Sequence, residues 1–455
     1  MKKSIQQVAE WLGSNQSFAN NIEVTGVSIN TRTLQKGDLF IPFKGEAVNG
    51  HKYVAQAFEA GASAILWQKD EPNPPSDVPV IFVDDAEEAL QQLASSYRAE
   101  HQATFVGITG SNGKTSTKDL VAGMLSPYYK VQKTEGNFNN QLGMPLTILS
   151  LDEDTEFAIL EMGMDGFGQI EFLTKLAKPH YVIITNIGEA HMEALGSRAG
   201  IAKAKFEIIQ GLQSNGELFF DGDEPLLQDL VRKEADLKAV SFGFANTNEL
   251  YATKIESNET GSKFVSNGLV EGDFEIQVLG SHQVKNTLAA IGLAQAIGLS
   301  KEQTVEALRT VSLTNMRMQL VNGTNGVLFI NDAYNAAPTS VRAALDFVAT
   351  TELRQDKWVV LGDMLELGDL EMKYHEDLIE AIDFNEIKQL CLFGPRMKVL
   401  SEAIQKQQPQ ASVVWAESDY TPIIKLINEK ATEETLILLK GSRGMALETV
   451  LNEFQ

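Results

Sequence analysis

The stretch "TFVGITGSNGKTSTKDL" (residues 104–120) constrains the architecture more than any other part of the chain. Its first third is an apolar run that reads as a strand, and its last third is helix-prone. Between them lie Gly110, Gly113, Lys114 and Thr115. A strand that enters a helix through a glycine turn is the βα unit of a parallel sheet. The N–H groups and dipole at such a helix start suit an anion. The widespread phosphate-loop spacing G-x-x-x-x-G-K-[ST] wants a glycine five positions before Gly113, and Ile108 stands there instead. Lys114 is nevertheless placed to neutralise β/γ-phosphate charge, and the Thr115 hydroxyl to hold Mg²⁺.

The rest of the chain repeats this alternation of strand-like and helix-like runs, which argues for an α/β fold with largely parallel sheets. Three domains are expected: residues 1–99, 100–313 and 314–455. In the first, "DLFIPF" and "VPVIFVDD" read as strands, "YVAQAFEAGA" and "AEEALQQLASSYRAEH" as helices. In the second, "FAILEMG" and "YVIITNIG" are further strands, and short alternating segments over residues 240–280 suggest an antiparallel patch. In the third, "GVLFINDAYNAAPTSVRAALDFV", "KWVVLGDMLELGDLEMKYHEDLIEAI" and "ETLILLKGSRGMALETVL" each pair a strand with a polar loop and a helix. Ligands of such sheets bind at the carboxyl ends of strands, so these loops hold the candidate site residues.

Charge restricts the partners. With 38 Lys plus Arg against 61 Asp plus Glu, the chain carries −23 and shows no basic run, so neither nucleic acid nor an anionic membrane is expected as a partner. A phosphate ligand must be held by a few placed groups. Cys391 is the only cysteine, so no disulfide and no cysteine zinc site are expected. The start "MKKSIQQVAEWLG" lacks the apolar stretch of a secretion signal, and no run reaches the roughly 18 apolar residues of a membrane span. A cytoplasmic protein is expected.

Glu161 ends an apolar strand one βα unit after the glycine loop, where an acid would hold Mg²⁺ beside a phosphate loop. His191 follows another strand beside Asn186, Glu189 and Glu193, and a metal or phosphate role and a plain loop role are both open. Lys203 and Lys205 in "AGIAKAKFEII" read as lysines on a solvated helix face. The loop "TEGNFNNQLGMP" is either turn chemistry or an amide-rich surface for a polar substrate. Asp332, Asn335, Lys440 and Arg443 follow strands of the third block and are ligand-facing or helix-capping types. Arg317 lies where the second block gives way to the third, within reach of a phosphate if the domains close.

Taken together, "TEGNFNNQLGMPLTIL", "EMGMDGFGQI", "TNIGEAHMEALGS", "AKAKFEII", "NDAYNAAPTS", "GDMLELG" and "KGSRGM" resemble the Mur ligase family along essentially the whole chain. That family uses a T-G-x-x-G-K-[ST] loop, which Thr109, Gly110, Gly113, Lys114 and Thr115 fit without a gap. The resemblance implies three domains: one for the UDP end of the substrate, a central P-loop-type ATPase, and a Rossmann-like C-terminal domain. It implies an ATP- and Mg²⁺-dependent ligase that joins D-alanyl-D-alanine to UDP-N-acetylmuramoyl-tripeptide through an acyl phosphate, in peptidoglycan precursor synthesis. A monomer is expected.

By position, the resemblance implies that Gly110, Ser111, Asn112, Gly113, Lys114, Thr115 and Ser116 hold ATP, with Asn286, Arg317 and Asp332. Thr115 and Glu161 would share one Mg²⁺ and His191 a second metal. Lys114, His191 and Lys205 would be catalytic, and Lys205 matches a lysine carbamylated in related ligases. Substrate contacts are implied for Ser28, Arg32, Asn137, Asn140, Asn335, Lys440 and Arg443. Asn30, Asn49 and Ala337 depart from the usual family residues: "SINTR" replaces S-x-D-S-R, "VNGH" replaces D-G-H, and "NAAP" replaces N-A-N-P. Among rivals, a folylpolyglutamate-type ligase or the ligase that adds the third amino acid would share the ATPase, but "AYNAAP" and "GDMLELG" favour the dipeptide. A guanine-reading switch would need an N/T-K-x-D stretch, and the nearest, "TKLA", lacks the aspartate. A scaffold that only binds UDP-sugars leaves Lys114, Thr115 and Glu161 unexplained.

Overall fold

Strands that each end in a loop and helix must return to the same edge of their sheet, so they pair in parallel. This is the pattern in the structure, a computed structural model that describes residues 1–18, 22–45, 48–258 and 260–455. The first sheet orders Gly26–Ser28, Asp38–Phe40, Ala64–Gln68 and Val80–Val83, all parallel. Helix Ala86–Glu100 leads out of it, started by Asp85, whose carboxylate accepts the Glu87 and Glu88 N–H groups at 2.8 Å.

The middle sheet has nine strands. From its edge strand Val131–Lys133 it runs through Phe157–Glu161, Thr104–Thr109, Tyr181–Ile184, Glu217–Asp221 and Ala239–Gly243 to Leu250–Asn258, all parallel. Gly261–Gly268 and Gly272–Ile276 then extend it antiparallel, as the alternating segments over 240–280 lead one to expect. Thr104–Thr109 lies between Phe157–Glu161 and Tyr181–Ile184. The glycine loop, Glu161 and Asn186 therefore leave the sheet side by side, at the kind of crevice where open α/β sheets bind ligands. Helix Lys114–Leu125 is buried almost all round and packs against helix Ser281–Ile297.

The third sheet orders Gln319–Asn322, Leu328–Asn331, Thr435–Lys440, Asp356–Gly362, Ile387–Phe393 and Val413–Ala416; only its first pair is antiparallel. The connection into it is pinned to the phosphate-loop helix. Thr314 donates from its N–H (2.8 Å) and its hydroxyl (2.6 Å) to Asp119 Oδ2. Asp119 Oδ1 also accepts from Lys133 Nζ at 2.7 Å. Just beyond, Met316 (φ 62°) and Met318 (φ 53°) adopt left-handed backbone on either side of Arg317. No helix among the described residues is long and apolar enough to cross a membrane.

Arg98 joins the first two sheets. It is 7% exposed, its Nε donates to Ala177 O and its Nη2 to Lys178 O at 2.9 Å, and its guanidinium lies 3.8 Å from the Phe105 ring centroid. Burial pulls its pKa down to about 10. Arg98→Met keeps the apolar stem but strands two helix-end carbonyls, so a loss of about 2 kcal/mol is expected. The thermal midpoint measures it, and an unchanged midpoint would show that the carbonyls find other partners.

Candidate functional site

The crevice between the middle and third sheets is a cavity of about 490 Å³, lined by Ser111–Ser116 of the glycine loop, by Asn139, Glu161 and Asn186, and by Arg317, Asp332, Asn335 and Lys440 from the other side. Two positions of the loop require glycine. A Cβ on Gly110 would lie 1.8 Å from Thr185 Oγ1, and one on Gly113, at φ +82°, would lie 2.6 Å from Asn286 Oδ1. Asn186 braces the loop, accepting the Asn112 N–H on Oδ1 at 3.0 Å and donating from Nδ2 to Asn112 O at 2.9 Å. Lys114 Nζ donates to Gly110 O at 2.8 Å. Burial lowers its pKa, the Arg317 charge adds to this, and Glu161 opposes it.

Four side chains converge at the helix start. Thr115 Oγ1 donates to Glu161 Oε2 at 2.9 Å, Asn139 Nδ2 donates to Glu161 Oε1 at 2.9 Å, and Arg317 Nη2 donates to Thr115 Oγ1 at 3.0 Å. Arg317 also lies over the Tyr334 ring, 4.2 Å from its centroid. Ser111 Oγ and Arg317 Nε are buried without a hydrogen-bond partner among the described residues. Two orphaned donors beside a lysine and a helix start are what a phosphate would satisfy. No group of three or more His, Cys, Asp or Glu that could hold a metal exists among the described residues. One hydroxyl and one carboxylate nonetheless fit Mg²⁺, which commonly takes one or two protein oxygens together with substrate phosphates.

The structure brings most of the expected residues into this cavity. Asn286 is 4% exposed and lines it. Lys440 Nζ donates to Asp332 Oδ2 at 2.6 Å and to Asn335 O at 3.1 Å, so it is an ion-paired lysine that fixes the 332–335 loop. Lys205 departs from the solvated face expected for it. Lys203 is exposed, but Lys205 is 1% exposed, with no hydrogen bond or ion pair to its ammonium among the described residues. Burial first, then the Lys114 charge, holds its pKa well below the ordinary lysine value. Neither Lys205 nor His191 lines the cavity; His191 lies at φ 66°, its Nδ1 3.6 Å from Asp165 Oδ1. Burial, Lys205 and Lys114 push its pKa down to about 4, leaving the neutral imidazole, which is the form that ligates metals.

Other expected residues lie outside the cavity. Asn137 is exposed, and Asn140 Oδ1 accepts the Leu142 and Gly143 N–H groups at 3.2 and 2.9 Å, a turn role. Asn139, between them, is the asparagine that reaches Glu161, and sequence spacing does not single it out. Arg443 is exposed and ion-paired with Glu448. Arg32 lines a separate cavity of about 430 Å³ in the first block, with Phe43 and Tyr53. Ser28 does not reach it; it is 7% exposed and its hydroxyl donates to Asn30 O at 3.0 Å. Sequence reading also missed Lys285, which lines the main cavity between Asp221 and Asp223, 3.0 Å from each. Burial lifts the Asp221 pKa to about 6 against the pull of Lys285. An acid at the end of strand Glu217–Asp221 was the available signal.

Known proteins resemble this chain over its full length. Three Mur ligase family descriptions match: "Mur ligase family, catalytic domain" over residues 23–98, "Mur ligase middle domain" over 108–294, and "Mur ligase, glutamate ligase domain" over 316–443. The UDP-N-acetylmuramoyl-tripeptide–D-alanyl-D-alanine ligase of Bacillus subtilis (strain 168) is 41% identical over 459 aligned residues, covering 100% of this chain and 98% of that protein. The crystal structure I of MurF from Acinetobacter baumannii superposes with a TM-score of 0.90 at 27% identity, covering 100% of this chain and 98% of that one. The MurF ligase of Thermotoga maritima, solved in complex with ADP, superposes at 0.84 and 26% identity over 94% of this chain and 96% of that one.

Proposed function

This chain belongs to the Mur ligase family, and on that premise we propose that it joins D-alanyl-D-alanine to UDP-N-acetylmuramoyl-tripeptide with hydrolysis of ATP. The convergence of Glu161 and Arg317 on the Thr115 hydroxyl, at the mouth of the glycine loop, is the observation that carries the ATPase half. The full-length likeness to ligases of that name supports the choice of substrates.

A carboxylate is a poor electrophile at neutral pH, so amide formation begins by activating it. An oxygen of the tripeptide's terminal carboxylate attacks the γ-phosphorus of ATP, the bond to ADP breaks, and an acyl phosphate forms. The dipeptide amine then attacks the acyl carbon, loses a proton, and phosphate leaves as the amide forms. The N–H groups of residues 110–116 and Lys114 hold the phosphates, and Asn286 and Asp332 bind the rest of the nucleotide. Thr115 and Glu161 would hold Mg²⁺, which would supply charge neutralisation on the phosphate oxygens. Asn139 fixes the Glu161 carboxylate. Arg317, contributed from the connection into the third sheet, stabilises charge that spreads over the transferring group, and closure of the third domain excludes water.

Burial favours the uncharged amine of Lys205, the form that attacks CO₂; the new N–C bond and the loss of a proton would give a carbamate. That anion would serve a second metal with His191. Residues 1–99 hold the UDP end, with Arg32 in the smaller cavity; residues 100–313 carry the ATPase, and 314–455 close over it. No group invoked requires a second chain, which supports a monomer, and the nucleotide substrates support a cytoplasmic location.

The test is phosphate release with ATP, Mg²⁺ and UDP-N-acetylmuramoyl-tripeptide, with and without D-alanyl-D-alanine. Release that requires both acceptor and donor supports the reading, and release indifferent to the dipeptide would mean a different amine. Arg317→Lys keeps the charge but loses the planar fork and its Nε–H, so kcat is expected to fall about a hundredfold. An unchanged kcat would remove Arg317 from the reaction.

A further inference from the structure

The loop of residues 185–193 touches both sides of the crevice. On one side it braces the phosphate loop, where Ser111 N–H donates to Asn186 O at 3.0 Å alongside the Asn112–Asn186 pair described above. Gly188 packs so closely that a Cβ there would lie 3.3 Å from both Ser111 Cβ and Asn112 Nδ2, and 3.7 Å from Thr339 Oγ1. On the other side, the Glu189 carboxylate accepts hydrogen bonds from the Thr339 N–H at 3.3 Å and from the Thr339 hydroxyl. Glu193 adds a second touch: a Cβ on Gly368 would sit 3.1 Å from Glu193 Cβ.

Thr339 is the second residue of helix Pro338–Thr350, the position whose N–H an N-cap side chain ordinarily accepts. The residue at that N-cap is Ala337, which has no side-chain acceptor to offer. Glu189 does the cap's work from another domain, with a negative charge at the positive end of the helix. The helix follows directly on the loop that carries Asp332, Tyr334 and Asn335 into the nucleotide cavity.

We propose that Glu189 is a positioning residue: by capping helix Pro338–Thr350 across the crevice, it ties closure of the third domain to the phosphate loop. The cap exists only while the domains are together, so it rewards the closed form and nothing else. The proposal rests on the ATP-dependent reading above, and its test separates the two.

Small-angle scattering of the full chain, with and without a saturating non-hydrolysable ATP analogue, reads the closed fraction. Calorimetry reads nucleotide binding in parallel. The wild type should bind the analogue and contract. Glu189→Ala should bind it yet lower the closed-to-open ratio about tenfold, the scale of a hydrogen bond to a charged group. Thr339→Val should act in the same direction, and the double variant should be no worse than the worse single one. Ala337→Asn gives the helix its own acceptor, so in that background Glu189→Ala should change the ratio less. In turnover, Glu189→Ala should raise KM for the dipeptide more than it lowers nucleotide affinity. Full contraction of Glu189→Ala with the analogue bound, or effects of the two single variants that simply add, would overturn the cap. A wild type that fails to bind the analogue would instead overturn the ATP-dependent reading.

Discussion

Lys114→Ala is expected to lower tripeptide- and dipeptide-dependent phosphate release by at least roughly a thousandfold, the scale on which a lost charge partner slows phosphoryl transfer. Lys114 is half-buried at the start of its helix, and its Nζ rests on Gly110 O at 2.8 Å, among the backbone donors of the loop. Burial already disfavours its charged form, with only Glu161 holding the proton on. A bound phosphate reverses that balance, and its own charge has no equivalent partner once the lysine is gone. The fold should survive, since the hydrogen bond this side chain makes is to a neighbouring carbonyl. A variant with wild-type melting and retained turnover would show that the loop does not hold the reacting phosphates.

Lys205→Met is expected to lose at least about a hundredfold in turnover, as variants that disturb a metal site do. Methionine has nearly the length and volume of the lysine stem, so a purely packing role predicts a well-folded, active enzyme. A carbamate role predicts a well-folded, inactive one. With ¹³C-bicarbonate, the wild type should show a carbamate carbonyl resonance that Lys205→Met lacks. Absence of that resonance in an active wild type would remove the modification. The sign of the pH effect follows from the depressed pKa. Between its folded and unfolded pKa values only the unfolded chain protonates this amine, so stability rises with pH across that interval. As pH falls through the folded pKa the amine takes a proton, the carbamate is lost, and activity goes with it.

Much of the fold was legible from local pattern. Thr104–Thr109 and helix Lys114–Leu125 lie where the glycine turn puts them, and the antiparallel extension lies within residues 240–280. These are matters of periodicity and turn chemistry within a few residues, and a sequence carries them directly. The motif pattern likewise pointed to the family, because the motifs are spread over the whole chain.

Tertiary structure decided which member of each local set faces inward. Lys203 and Lys205 share one short helix and, two residues apart, point about 200° away from one another, so burial of one exposes the other. Which one is buried depends on what packs against the helix, and nothing in "AKAKF" states that. The three asparagines of "NFNN" and its neighbours pose the same question, and the answer, Asn139, depends on a strand some twenty residues further on. Glu189 meets Thr339 across 150 positions of sequence, and Arg317 meets Thr115 across 202. The residue types at a site come from the sequence, because chemistry is local; their partners and burial come from packing between segments that the chain brings together only when it is folded.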